Sequence, residues 1–167
     1  MIRTYLGLGG NLGNRIAALR DAVHALDFLG NIVAVSSIYE TAPVGYLDQP
    51  PFLNAAAILE TSLTATDLLS AIVEIERSLG RERTFRNAPR TLDIDLLMYD
   101  DTISDDPALT LPHPRLYERA FVLVPLAEIA PDIRHPRLDQ TIADLLAGLG
   151  DVSGKVYKVA EPETFVS

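Results

Sequence analysis

The sequence predicts an α+β domain: a mostly antiparallel sheet with packed helices, its leading elements in the order β-α-β-β-α-β. Three observations carry that prediction. Hydrophobic residues make up 48% of the 167, which suits one domain with a sizeable core and excludes a chain disordered throughout. Apolar residues recur at helical spacing in two stretches, 15–29 and 65–79. Extended stretches flank both, at 2–8, 32–39, 52–60 and 91–99.

Residues 2–8 read as the first strand, and Gly9-Gly10-Asn11-Leu12-Gly13-Asn14 as a turn into a helix. In that helix Leu19, Ala22, Val23, Leu26 and Leu29 share a face, and Gly30 is the stop. Residues 32–39 are β-branched and apolar, a strand. Residues 41–51 form a loop rich in proline and glycine. In the strand at 52–60, Leu53, Ala55, Ala57 and Leu59 face one way, and Phe52, Asn54, Ala56 and Ile58 the other. Thr64 caps the second helix, whose buried stripe is Leu68, Ile72, Ile75 and Leu79, with Gly80 at its end. An arginine-rich loop at 81–90 precedes the strand at 91–99. A polar turn at 100–107 and an extended piece at 108–111 follow. A short helix is expected from Pro114, with Pro125 ending or kinking it. Residues 142–149 read as a last helix, and Val156-Tyr157-Lys158-Val159 as an edge strand. This order is the ferredoxin-like plan, an α/β sandwich with its helices expected on one side of the sheet. Residues 1–150 are assigned to a single domain and 151–167 to a C-terminal tail.

The charge balance narrows the function classes. Fourteen basic residues against 23 acidic ones give a net charge of −9, which argues against coating nucleic acid or an anionic membrane. With no cysteine, disulfides, thiolate catalysis and Cys-ligated metal centres are excluded. No signal peptide is read at the start and no apolar run reaches the ~20 residues of a membrane span. A cytoplasmic globular protein is expected.

The strongest chemical signal is Thr91-Leu92-Asp93-Ile94-Asp95-Leu96-Leu97-Met98. On a strand, Asp93 and Asp95 share a face with Cα atoms about 7 Å apart, while Leu92, Ile94, Leu96 and Met98 point to the other. Two carboxylates side by side repel each other, and a divalent cation relieves that repulsion. Hard oxygen ligands favour Mg²⁺, which commonly completes its shell with water and substrate phosphates. The alternative is a solvent-facing strand edge. Directly upstream, Arg77, Arg81, Arg83, Arg86 and Arg90 stand against one acid, Glu82. Arginine makes planar, bidentate contacts to phosphate, so the combination suggests a polyphosphate held between arginines and metal. A solvated basic loop is the competing reading.

Other nucleotide signals fail. Gly7-Leu8-Gly9-Gly10-Asn11-Leu12-Gly13 has leucine where the dinucleotide fingerprint needs glycine, and no Walker lysine follows. His113, fixed between Pro112 and Pro114, either reaches a phosphate or ribose or is a plain loop histidine. Arg115 and Arg119 lie four apart near it. His24 reads as a surface or boundary residue, and His135 has no ligand spacing. Glu76 either orients an arginine or nucleotide or is solvated. Asn54, on the strand face of Phe52, either recognises a flat heterocycle or satisfies backbone groups.

Four ordered blocks resemble one family, 6-hydroxymethyl-7,8-dihydropterin pyrophosphokinase (HPPK) of folate biosynthesis. They are Leu8-Gly9-Gly10-Asn11-Leu12-Gly13; Phe52-Leu53-Asn54-Ala55; Arg86-Asn87-Ala88-Pro89-Arg90-Thr91-Leu92-Asp93-Ile94-Asp95-Leu96-Leu97; and Pro112 to Phe121, continuing through Pro125-Leu126-Ala127-Glu128-Ile129-Ala130-Pro131. The resemblance runs over about 2–133. It departs at Asn87, where many members carry tryptophan, at Val73, which replaces a polar residue, and in a slightly shorter arginine loop.

The resemblance implies transfer of pyrophosphate from ATP to the hydroxymethyl oxygen of the pterin, releasing AMP. Asp93 and Asp95 would bind a pair of Mg²⁺ ions bridging the ATP phosphates. Arg83 and Arg90 would clamp those phosphates and serve with the aspartates in catalysis. Glu76, Arg81, Arg86, Leu96, Thr110, His113 and Arg119 would complete the ATP site. Thr41, Val44, Gly45, Phe52, Asn54, Asp93 and Phe121 would hold the pterin, with Phe121 stacked on its ring. A monomer, with no nucleic-acid or membrane partner, is expected. Two other classes stay open on the residues alone: a different Mg²⁺-dependent phosphohydrolase or nucleotidyl-transfer enzyme, and an RNA-binding module with the same element order.

Overall fold

The computed structural model describes residues 1–11, 14–41, 50–79 and 92–165. Strand β1 (Ile2–Gly10) is its hub, paired antiparallel with β4 (Phe52–Thr61) on one side and β5 (Asp93–Tyr99) on the other. Strands β2 (Asn31–Val35) and β3 (Ile38–Thr41) both pair with β4, and β8 (Val156–Ala160) pairs with the outer edge of β3. The sheet order is β5-β1-β4-β3-β8, with β2 also on β4. The strand therefore continues through Gly9 and Gly10, expected as a turn, because β5 pairs with it as far as Gly9 and β4 as far as Gly10.

Helix α1 (Arg15–Asp27) begins where the Asn14 side chain accepts from the Ala17 amide. Helix α2 (Ala65–Ser78) begins where the Thr64 hydroxyl accepts from the Asp67 amide at 3.1 Å. Their apolar stripes cover one face of the sheet, where Leu19, Leu26, Leu68 and Ile72 meet Leu6, Leu8, Leu53, Ala57, Leu59, Ile94 and Leu96. Helix α3 (Ala120–Ile129) and helix α4 (Ile142–Ala147) lie on the other face, against Tyr5, Ala56, Ile58, Leu97 and Met98. Helices on both faces correct the expectation of one covered side. The cause is readable in α3, whose only charged residue is Glu128. A helix apolar almost all round must be buried on more than one side, and it packs on both the sheet and α4.

Met98 is a second correction. Tyr5 pairs with Met98 and Leu6 with Leu96, so Leu97 is an extra residue, a β-bulge. The bulge shifts the alternation, and Met98 joins Leu97 on the α3/α4 face. Asp93 and Asp95 lie before it and keep the phase read from the sequence. Three further differences concern connections. Residues 32–39 are two strands broken at Ser36 and Ser37. The polar turn and extended piece form a hairpin of β6 (Ser104–Asp106) and β7 (Leu109–Leu111). A 3₁₀ turn, Leu116–Glu118, precedes α3, which continues through Pro125 rather than ending there. Downstream of β8, Pro162–Phe165 forms another 3₁₀ turn that puts Phe165 into the α1/α2 core.

Candidate active site

On the α3/α4 face the apolar layer stops partway along the strands. Register then brings three rows together: Asp95, Gly7 and Ala56; Asp93, Gly9, Asn54 and Tyr39; Phe52 and Thr41. Asp93 and Asp95 are half-buried. Between Asp93 and Asn54, two strand spacings or about 10 Å apart, the floor is the bare backbone of Gly9. A Cβ added at Gly9 would sit 3.0 Å from Asn54 Oδ1 and 3.4 Å from the Leu53 carbonyl. Glycine is therefore required by close approach, not by a turn. The Asn54 amide is buried and oriented: Nδ2 donates to Thr41 Oγ1 at 2.8 Å.

Glu76 is 5% exposed. From α2 its Oε2 accepts from the Ile94 amide at 2.8 Å. That amide lies between the two aspartates, so the buried carboxylate holds the backbone that carries them. Of the two readings open for Glu76, the solvated one does not hold: the carboxylate is buried and supports the strand.

His113 donates its backbone amide to the Leu97 carbonyl at 2.8 Å. Its Nδ1 accepts from the Arg115 amide at 3.3 Å, so the neutral ring carries its proton on Nε2. Burial pushes its pKa below the usual histidine range; Arg119 adds to this and Asp93 opposes it. Arg119 is likewise lowered by burial and by Arg115, against Asp95 and Asp93. The same guanidinium lies 5.5 Å from the centre of the Phe121 ring, a cation–π contact. Arg115 pairs with Glu118 at 2.7 Å instead.

The structure thus gathers Asp93, Asp95, His113, Arg119 and Phe121 into one electrostatic neighbourhood, and Thr41, Phe52 and Asn54 onto the adjoining strands. Two expected ATP residues are engaged elsewhere. The Leu96 side chain is in the α1/α2 core. The Thr110 hydroxyl donates to the Asp106 carbonyl at 3.1 Å. Val44, Gly45, Arg81, Arg83, Arg86 and Arg90 lie outside the described residues. His24 is exposed, with Nε2 3.3 Å from the Phe165 carbonyl. His135 is buried as a structural acceptor for the Arg137 and Leu138 amides.

Sequence reading missed the bare floor at Gly7 and Gly9, and it missed Tyr39, Ser37 and Glu128. The signal for the last was present: one glutamate in an otherwise apolar helix.

The fold defines the class first. Wild-type HPPK-DHPS of Plasmodium falciparum superposes with a TM-score of 0.71 over 88% of this chain, at 17% identity, a likeness of fold alone. The chain spans 44% of that longer one. The class is therefore an α+β domain of the kind found in HPPK structures. Within it, the family model for 7,8-dihydro-6-hydroxymethylpterin-pyrophosphokinase (HPPK) matches residues 5–131. A protein of Methylorubrum extorquens named 2-amino-4-hydroxy-6-hydroxymethyldihydropteridine pyrophosphokinase is 50% identical over 135 residues, 80% of this chain and 85% of its own length. A Bacillus subtilis protein of the same name is 47% identical over 131 residues, 77% and 78% of the two chains. A folic acid synthesis protein of Dictyostelium discoideum is 38% identical over 160 residues, 24% of its length. The chain belongs to the HPPK family and is a pyrophosphokinase. Among the described residues no helix is long and apolar enough to cross a membrane.

Proposed function

We propose that the chain transfers a pyrophosphoryl group from ATP to the hydroxymethyl oxygen of 6-hydroxymethyl-7,8-dihydropterin, with AMP as the other product, in folate biosynthesis. The supporting observation is the row Asp93–Gly9–Asn54. It sets an oriented amide about 10 Å from a carboxylate pair across a floor without side chains, which suits a flat heterocycle with a reactive arm pointing at the aspartates.

In this reading Asn54 hydrogen-bonds the heterocycle edge and Phe121 stacks on its face, with Thr41, Val44, Gly45 and Phe52 lining the slot. Arg83 and Arg90 clamp the phosphates, assisted by Arg81 and Arg86. His113 offers Nε2–H to a phosphate oxygen, which its neutral tautomer allows. Arg119 adds charge from the Phe121 side, and Glu76, Thr110 and the Leu96 backbone complete the nucleotide site. Residues 1–150 form the pyrophosphokinase domain, 151–167 its C-terminal extension, and the protein works as a cytoplasmic monomer.

Asp93 and Asp95 fit a pair of Mg²⁺ ions: two half-buried, same-face carboxylates are hard oxygen donors that leave coordination positions for phosphate and water. Such ions would supply charge neutralisation of the polyphosphate and acidify the acceptor hydroxyl. The acceptor oxygen forms a bond to the β-phosphorus, the bond from that phosphorus to the α–β bridging oxygen breaks, and the hydroxyl proton passes to solvent. The protein's part is alignment and fixed charge.

Incubation with ATP, Mg²⁺ and 6-hydroxymethyl-7,8-dihydropterin should give AMP and pyrophosphorylated pterin in equal amounts, and ATP should persist when the pterin is left out. ADP as the main product would mean γ-phosphoryl transfer, and ATP breakdown without pterin would mean a hydrolase.

A further inference from the structure

The carboxylate of Glu128, in the last turn of α3, gathers three donors at the break between β2 and β3. It accepts from the Ser37 amide at 3.1 and 3.0 Å, from Ser37 Oγ at 3.0 Å and from the Tyr39 hydroxyl at 2.5 Å. The break is otherwise sealed. Ser36 and Ser37 are both fully buried. Ser36 Oγ takes the place of a strand carbonyl by accepting from the Ala56 amide at 2.8 Å, and it donates to the Ser37 carbonyl at 2.7 Å. Tyr39 pairs in register with Asn54, and two residues further on Thr41 holds the Asn54 amide. Burial and then the Glu128 carboxylate push the Tyr39 phenol well above its ordinary range, so it remains a donor. At the other end of the same helix is Phe121.

Glu128 is therefore the polar link between the helix that carries Phe121 and the strand that carries Thr41. We propose that Glu128 is a positioning residue: it fixes β3 against α3 and so sets the spacing between the Phe121 ring and the Thr41–Asn54 edge. This rests on the reading of those residues as the pterin slot. Glu128 is itself solvent-exposed, yet its carboxylate is turned onto the Ser37 and Tyr39 donors.

Pterin and ATP affinities measured separately by calorimetry, with KM, kcat and thermal melting, test the inference in Glu128→Gln, Tyr39→Phe, Asn54→Ala and the pairwise combinations. Glu128→Gln should weaken pterin binding about tenfold, as a small misplacement of binding groups does, and Tyr39→Phe should weaken it by less. ATP affinity should stay within about twofold of wild type. In an Asn54→Ala background the effect of Glu128→Gln should largely vanish, because both act on the same amide. Equal losses for ATP and pterin, or additive effects, would overturn the inference. If the Glu128 variants fail to fold, Tyr39→Phe decides alone, and unchanged pterin binding in it refutes the link. Unchanged pterin binding in Asn54→Ala would overturn the slot itself, and Glu128's role with it. A weakened Asn54→Ala beside an unaffected Tyr39→Phe would overturn only the role of Glu128.

Discussion

One face of the sheet is filled from end to end, and the other is filled for half its length. Under α1 and α2, Leu6, Leu8, Leu53, Ala55, Leu59, Ile94 and Leu96 make one unbroken apolar layer. Under α3 and α4, Tyr5, Ile58, Leu97 and Met98 make a similar layer, but along the same strands it gives way to Gly7, Gly9, Asp93, Asp95 and Asn54. The difference teaches how a sheet separates holding from doing. Strand alternation lets one set of backbones bury leucines on one side and present carboxylates and an amide on the other. The rigid layer below then fixes the spacing of the polar groups above.

Four substitutions can break or sharpen this contrast. On the half-filled face, Asp95→Asn should lower kcat/KM by about a thousandfold or more, the scale on which charge stabilisation of a transition state is lost. The fold should persist, since Asp95 is half-buried and lies outside both apolar layers. Loss of fold with residual activity would show that Asp95 is structural. On the filled face, Leu59→Ala should cost about 2–5 kcal/mol of stability and leave the KM values of the folded enzyme near wild type, as denaturant titration and steady-state kinetics would show. Gly9→Ala lies on the boundary. Its Cβ must displace Asn54 Oδ1, so pterin affinity should fall about tenfold, by misplacement of a binding group, with ATP affinity kept; calorimetry with each ligand decides it.

The smallest effect is on pH. His135 Nδ1 accepts two backbone amides, and burial, with Arg137, lowers its pKa when folded. Its contribution to stability is full above about 6.5, the ordinary histidine value. It is lost as pH falls toward the folded value, because the unfolded chain takes the proton first. His135→Asn should give a shallower decline in stability below that pH, with a remainder from His113, whose pKa is shifted the same way. An unchanged slope would remove His135 from the acid response.

Where local alternation and folded register coincide, the site was legible. Asp93 and Asp95 between Leu92, Ile94 and Leu96, and Asn54 two residues from Phe52, are period-two patterns, and the sheet keeps them. Legibility ended where a distant partner decides. The bulge at Leu97 follows from how β5 meets β1, and nothing in Leu96-Leu97-Met98 marks it. The break at Ser36 and Ser37 depends on a carboxylate some ninety residues later (Glu128 to Ser37). Gly9-Gly10 looked like a turn because glycine is common in turns, yet pairing of Gly9 on both sides and of Gly10 with Leu53 keeps them in the strand. Glu76 left two readings open because the amide that decides between them, that of Ile94, lies 18 residues on in β5.

The pairing of β8 with β3 has a consequence in time. In register, Thr41 meets Val156, so the strand that holds Asn54 through Thr41 is synthesised about 115 residues before its outer neighbour, roughly 6–23 s earlier at ordinary translation rates. For that interval the outer edge of β3 is open, and an open strand edge is a template for wrong partners. Closure waits for a segment beyond residue 131, where the family match ends. A nascent chain halted before Val156 would thus already contain Thr41, Asn54, Asp93, Asp95 and Phe121, and would still lack the strand that borders the first of them.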